Sequence, residues 1–242
     1  QRARELVDAA ARHQVAVLVG HHRRHNALIA AAKTAIDSGE LGQIVTVSAH
    51  WVLQKPDEYF DIAWRREPGA GPLLVNLVHD IDLMRYLFGE IDQVQAFTSH
   101  AVRRFANEDS AVVNLRFASG ALGSAVLTDC GVGPWSWEMN SGENAIYAHA
   151  PENCYLISGT GGALAIPQMQ WWRYGEARGW LHPLLSDRLH VEAIDPFMLQ
   201  LDHFLQVITG EEKPLIDAAD ALRSLEIVAA IQRAAGQAGQ ST

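Results

Sequence analysis

Apolar positions along the chain follow two regimes that change at Gly89. Before it, helical spacing alternates with short continuous apolar runs. Leu6, Val7, Ala10 and Ala11 share a face of a helix expected over residues 3–13. Val15-Ala-Val-Leu-Val19 is unbroken, the pattern of a strand buried on both faces of a parallel sheet. A second helix runs from Asn26 to Ser38 and stops at Gly39. Residues 43–53, with β-branched Ile44-Val-Thr-Val47, read as a strand. A polar and aromatic loop, Gln54 to Phe60 and then Trp64 to Arg66, leads into the stretch Gly69 to Gly89. There Leu77, Ile81, Met84, Leu87 and Phe88 recur at helical spacing, between a glycine-rich turn and a glycine stop.

After Gly89 the period shortens to two. Strands are expected over 94–100, 110–117, 121–130, 137–140, 145–149, 155–158, 163–166 and 169–174, with Ser119-Gly120 as a hairpin turn. Gly159-Thr-Gly-Gly162 lacks the G-x-G-x-x-G spacing and precedes a strand, so it reads as a tight hairpin and not a phosphate loop. Helices over 196–209, closed by Gly210, and 218–235 follow, with 236–242 as a frayed tail. A helix followed directly by a doubly buried strand looks like the tail of an α/β unit, so the chain reads as starting in mid-fold. The fold class expected is α+β: one large, mostly antiparallel open sheet with helices on one face. The other face needs a cover, because Trp171 and Trp172 would leave an apolar patch, and such patches mark interaction sites. Self-association through residues 94–180 is the expectation.

The 242 residues permit one large domain or two small ones, and 48% hydrophobic against 19% charged residues supplies a core. A net charge of −9 with no long basic run argues against nucleic acid as a partner. No run of 18 apolar residues exists, so no membrane span is expected. No signal peptide is visible, and a first residue of Gln leaves room for residues before it. Cys130 and Cys154 are too few for a disulfide framework and lack metal-site spacing, which makes the reducing cytoplasm the default compartment.

Candidate chemistry gathers at two places. Asn76 and His79 stand three apart at the start of the central helix. Asn76 is placed to cap the first turn, and His79 then presents its ring to a cleft. The plainer reading of the same spacing is an amphipathic helix with a satisfied core histidine. His21-His-Arg-Arg-His25 follows the apolar run, where ligands bind in parallel sheets. A zinc site there needs three or four convergent donors, and no acidic partner sits at a helical repeat, so no metal is assigned.

Five segments in order resemble the Gfo/Idh/MocA family of NAD(P)-dependent oxidoreductases. They are Val17-Leu-Val-Gly-His-His-Arg-Arg24; Asp37-Ser-Gly-Glu-Leu-Gly-Gln43; Gly69-Ala-Gly-Pro-Leu-Leu with His79-Asp-Ile-Asp82 and Leu87-Phe-Gly89; Trp135-Ser-Trp-Glu138; and Gly159-Thr-Gly-Gly-Ala163. The resemblance implies a two-domain enzyme: a Rossmann domain for NAD or NADP, and an α/β domain that supplies the substrate pocket and often an oligomer interface. Residues 1–20 then correspond to the last helix and strand of a truncated dinucleotide-binding domain, and 21–242 to the substrate-binding and oligomerisation domain. The cofactor fingerprint and the family's Glu-Lys-Pro segment are absent. Glu212-Lys-Pro214 has those letters but lies between the last two helices, as a turn. The family's aspartate four residues before the histidine is Val75 here, with Asn76 next to it.

On this resemblance the chain is the substrate and oligomerisation domain of an oxidoreductase. It moves hydride between a nicotinamide and a sugar, polyol or inositol-like compound, and is inactive alone. His79 and Asn76 are the catalytic candidates, His79 taking the hydroxyl proton from a pKa near its ordinary value. Lys55 and Tyr59 would contact substrate hydroxyls or simply belong to a solvated loop, and Trp64 and Arg65 would line the pocket mouth. Arg24 positions cofactor or substrate, or pairs with an acid on the surface; Asp82 orients a histidine or bonds the backbone. The rival readings are a non-catalytic binding or scaffold module of the same fold, and a metal hydrolase using His21, His25 and His79.

Overall fold

The computed structural model describes residues 1–238. Its centre is an eight-stranded sheet: β1 (Ile44–Val52), β2 (Ile91–Ser99), β3 (Ser110–Phe117), β4 (Leu122–Thr128), β5 (Tyr155–Gly159), β6 (Ala163–Ile166), β7 (Gln170–Tyr174) and β8 (Leu184–Arg188). The order is β2-β3-β4-β1-β5-β6-β7-β8, with β1 and β4 parallel and every other pair antiparallel. The α+β expectation of a mostly antiparallel open sheet holds. β1 sits mid-sheet, flanked by the β3–β4 and β5–β6 hairpins.

Alternation along the strands decides what faces inward. On β3, Ala111, Val113, Leu115 and Phe117 are buried while Val112, Asn114 and Arg116 are not. The inner face packs on α2 (Ala27–Asp37), α4 (Leu77–Phe88) and α7 (Ala218–Ala238), with Trp51, Phe117, Tyr155, Ile29, Ile81, Met84 and Ile231 in one core. Burying each such side chain is worth roughly 1.5–3 kcal/mol. Helix α4 is buried nearly all round and ends at Gly89, whose φ of 91° suits glycine. Helices α1 (Arg2–His13) and α6 (Pro196–Thr209) lie at the periphery; Phe197, Leu201, Phe204 and Ile208 on α6 stay exposed. No helix among the described residues is long and apolar enough to cross a membrane.

Four expectations need correction. Val15–Val19 is not a strand: Leu18 makes one isolated bridge to Asp217, and Val15 is exposed. An apolar run becomes a buried strand only between neighbouring strands, and it meets none among the described residues. Trp137–Asn140 is the helical turn α5, because the Ser136 hydroxyl accepts from Met139 N and caps it. Residues 145–149 form irregular loop. Trp171 and Trp172 do not both face out: neighbours on a strand point to opposite sides, so Trp171 is buried and only Trp172 looks outward. Two elements were not foreseen, the short α3 (Pro72–Val75) and the fully exposed edge strand β8. Helix α7 takes in Gly236 to Ala238 of the expected frayed tail, whose remainder, 239–242, lies outside the described residues.

Candidate functional site

The turn before α4 is built around a close approach. A Cβ on Gly71 would lie 2.3 Å from the Glu108 carboxyl, so glycine here lets Glu108 accept from Leu73 N at 2.9 Å. The chain then passes through α3 to Asn76. The Asn76 side chain does not cap α4, contrary to expectation. Its Oδ1 instead accepts from Lys55 Nζ at 3.0 Å, while its carbonyl accepts from His79 N at 3.1 Å. A buried ammonium offers a stronger bond than a helical N–H, so the amide turns toward Lys55.

Lys55 leaves the end of β1 and is held from several sides. Its Nζ lies 3.8 Å from Asp129 Oδ2 and over the rings of Tyr59 and Trp51, at 4.9 and 5.3 Å. Burial lowers its pKa, against the pull of Asp129. Arg65 stacks over Tyr59 at 4.0 Å and donates to the Tyr59 carbonyl at 2.8 Å; Trp64, half exposed, lies beyond Arg65. Lys55, Tyr59 and Asn76 therefore form one cluster, with Trp64 and Arg65 on its outer rim.

One turn into α4, His79 meets the loop that follows Val19. His21 Nδ1 and His79 Nδ1 are 3.3 Å apart. Burial first, then the neighbouring Arg23, His21 and His22, push the His79 pKa down to about 3. The expectation of a near-ordinary value is corrected: His79 is neutral at pH 7 and a weak base, suited to hydrogen bonding with a polar oxygen. His22 Nε2 donates to Glu143 Oε1, 2.9 Å away, and its ring stacks on Phe197. His25 turns aside to His203, 5.2 Å between rings. Among the described residues no three His, Cys, Asp or Glu side chains come together as metal donors.

Behind these groups lie two buried ion pairs. Arg23 donates to Asp80 Oδ1 at 2.8 Å and to Glu138 Oε1 at 3.0 Å; Asp80 also accepts from the Tyr155 hydroxyl, and Glu138 from Trp51 Nε1. Burial disfavours the Arg23 charge, but Asp80 and Glu138 outweigh it and hold its pKa above the ordinary value. Arg24 forms a bidentate pair with Asp82, at 2.6 and 2.9 Å, and meets Asp220 at 2.8 Å. Arg24 pairs with acids, but buried in the fold and not on the surface as expected. Asp82 neither orients a histidine nor bonds backbone; it holds Arg24 and accepts from Ser224. Sequence reasoning missed Arg23, Asp80 and Glu138 as a unit. A signal was present: two carboxylates on an apolar helix each need a cation, and Arg23-Arg24 supplies two.

Residues 29–165, more than half of the chain, match the family model described as GFO/IDH/MocA C-terminal domain. The chain belongs to the Gfo/Idh/MocA family. A myo-inositol 2-dehydrogenase of Thermotoga maritima is 26% identical over 125 residues, 49% of this chain and 36% of that enzyme. A scyllo-inositol 2-dehydrogenase (NAD(+)) of Bacillus subtilis is 24% identical over 221 residues, 86% of this chain and 57% of that enzyme. The crystal structure of the WlbA dehydrogenase from Bordetella pertussis, in complex with NADH and UDP-GlcNAcA, superposes with a TM-score of 0.70 at 25% identity, over 96% of this chain and 64% of that one. The matches to the two inositol dehydrogenases take in only 36% and 57% of their lengths.

Among the described residues, the glycine run and Arg24 do not make a dinucleotide cradle. The glycine run is filled by protein: a Cβ on Gly159 would lie 2.1 Å from the Leu41 carbonyl, and Gly161 crowds Glu40. The run joins β5 to β6, as a hairpin, and opens no helix. Arg24 is already neutralised by two carboxylates. A cavity of about 390 Å³ does lie beside His22. Its wall includes Asn26, Asn140, Glu143, Gln168 and Arg188, and Glu143 spans from His22 to Asn26.

Proposed function

We propose that this chain is the substrate-side unit of a nicotinamide-dependent oxidoreductase acting on a hydroxyl or carbonyl of a sugar, polyol or inositol-like compound. The observation that carries the reading is the convergence at the head of α4. A Lys55–Asn76 pair and a His21–His79 pair stand one helical turn apart, in a member of a family whose named relatives include inositol dehydrogenases. In this reading residues 21–242 form the substrate and oligomerisation unit, and 1–20 belong with a dinucleotide-binding unit that packs on the exposed apolar side of α6. The cofactor, NAD or NADP, is in this reading held mainly by the dinucleotide-binding unit. Both thiols, Cys130 and Cys154, are free, which suits a reducing cytoplasm.

The chain's own groups bind and orient. Lys55 occupies Asn76 Oδ1, so the Asn76 amide N–H groups are left to donate to a substrate oxygen. The neutral His79 ring bonds the reacting oxygen and handles its proton. Tyr59, Trp64 and Arg65 contribute a stacked rim against which a sugar ring lies. The outward face of the sheet, where Phe97, Val112 and Val126 stand in register, is the surface for a second copy of the chain.

The test is His79→Ala in the complete polypeptide, assayed with myo-inositol and scyllo-inositol and with both nicotinamide dinucleotides. The expected result is a fall in kcat/KM of roughly 10²–10⁴ at an unchanged melting temperature. A folded variant with parental kcat/KM would refute the assignment.

A further inference from the structure

The contact between His21 and His79 joins like atoms, Nδ1 to Nδ1, with the rings edge to face at 81° and 5.3 Å between centroids. In such a bond one nitrogen carries the proton and the other accepts, so the tautomer of each ring sets that of the other. Burial holds both rings neutral. Arg23 adds to this at His79; at His21, Arg24 and Arg23 work against Asp82 and Asp220. His21 is itself fixed: its N–H donates to the Val19 carbonyl at 2.8 Å, its carbonyl accepts from Arg24 N at 3.2 Å, and Arg23 and Arg24, two and three residues on, are locked in buried ion pairs. Neither ring's Nε2 has a hydrogen-bond partner among the described residues, and neither counts among the fully buried unpartnered atoms, so both reach solvent.

We propose that His21 is a positioning residue for His79: it accepts the His79 Nδ1–H, fixes that ring as one tautomer, and leaves a bare Nε2 facing the substrate hydroxyl. Its substrate-facing half rests on the oxidoreductase reading above; its tautomer half does not. The proton count closes. The substrate O–H bond breaks as His79 Nε2–H forms; the His79 Nδ1–H bond breaks as His21 Nδ1–H forms. The products are an alkoxide, a neutral His79 and a cationic His21, which releases its proton to solvent from Nε2. A histidine that resists carrying charge thus still passes a proton, because the charge never rests on it.

The decisive experiment is nitrogen NMR of the imidazoles in the complete polypeptide at neutral pH. It uses the parent, His21→Phe, which keeps a ring but no nitrogen, and His21→Asn, which keeps a hydrogen-bonding group on Cγ. The parent should show His79 with a protonated Nδ1 and a bare Nε2. His21→Phe should shift it toward the Nε2–H tautomer, and His21→Asn should restore the parental pattern. In the reaction of myo-inositol with NAD, His21→Phe should lower kcat roughly 10–100-fold with KM and melting temperature unmoved, and His21→Asn should recover most of the loss. An Nε2–H tautomer in the parent, or a His79 spectrum indifferent to His21→Phe, overturns the proposal. If His79→Ala leaves turnover intact while the tautomer pattern is as stated, the oxidoreductase assignment of His79 falls and the pairing stands.

Discussion

Acidification isolates the His79 environment. In the folded chain burial disfavours the imidazolium and Arg23 lies beside it, so the pKa is about 3; the unfolded chain keeps a value of about 6.5. Between these values the unfolded state binds a proton that the folded state does not. The stabilisation is therefore complete above about pH 6.5 and is lost as pH falls toward 3. At pH 5 the unfolded-state pKa lies about 1.5 units above the pH, and at about 1.4 kcal/mol per unit the loss is about 2 kcal/mol. That figure barely changes for any folded pKa below about 4, because the native ring stays neutral at pH 5 in every such case. His21, His25 and His50 are lowered in the same direction, burial being the largest cause in each, so the parent's curve alone mixes several groups. The difference between the parent and His79→Gln removes the shared part. Urea unfolding of both chains at pH 7 and pH 5, at one ionic strength, should show the parent losing about 2 kcal/mol more than the variant. Equal losses would refute the reasoning and show that the imidazolium finds a stabilising partner at this position.

Three further outcomes are expected. Arg23→Met leaves Asp80 buried without its cation and should cost about 3–5 kcal/mol in urea unfolding; adding Asp80→Leu should recover most of the stability but not the turnover, and full recovery of both would refute a positioning role for the pair. Lys55→Met removes a charged donor from Asn76, worth about 1.5–3 kcal/mol, and should lower kcat/KM roughly 10–100-fold with myo-inositol and NAD; an unchanged value removes Lys55 from the site. Val112→Glu on the outward face should shift sedimentation toward monomer without lowering the melting temperature, and an oligomer that survives it does not use this face.

Period and punctuation carried most of the fold. Helices α2 and α6 are read from their spacing and their glycine stops, Gly39 and Gly210; the structure adds the caps, with Asn26 accepting from Leu28 N and Asp195 from Phe197 N. Strand β3 keeps its alternation because one face is buried, whereas β6 is buried at three consecutive positions. The failures share a cause. Val15–Val19 has the composition of a strand, but strand identity needs neighbours. β8 has neighbours but no apolar face, so pairing with β7 is its whole definition. Trp137–Asn140 carries one β-favouring aromatic, Trp137, yet a single serine hydroxyl decides its start. The parallel β1·β4 pairing leaves no local trace either, because it joins segments whose contact is set by the hairpins on both sides. Within the site, Lys55, Tyr59, Asn76 and His79 were each legible as polar positions in a loop or at a helix head. The state of His79 was not, since it depends on Arg23 and His21, which reach it only through the fold.

The two ion pairs explain how that reach is achieved. Asp80 and Asp82 are two residues apart on α4, about 200° around the helix, so they point to nearly opposite flanks. Arg23 and Arg24 leave the short helical turn His22–His25 in different directions and meet one carboxylate each. The turn is thereby clasped on both sides of α4, and His21, the residue just before it, is set over His79 at the fourth position of the same helix, counted from Asn76. Apolar residues of equal volume in place of a buried ion pair often leave stability unchanged or higher, so stability is a weak reason for four buried charges. Direction is a better one: a bidentate Arg24–Asp82 contact fixes angle as well as distance, which interdigitating side chains do less sharply. The Arg23→Met, Asp80→Leu chain bears on the two explanations, because it puts apolar side chains in place of the pair, although it also takes Arg23 from Glu138 and Asp80 from the Tyr155 hydroxyl.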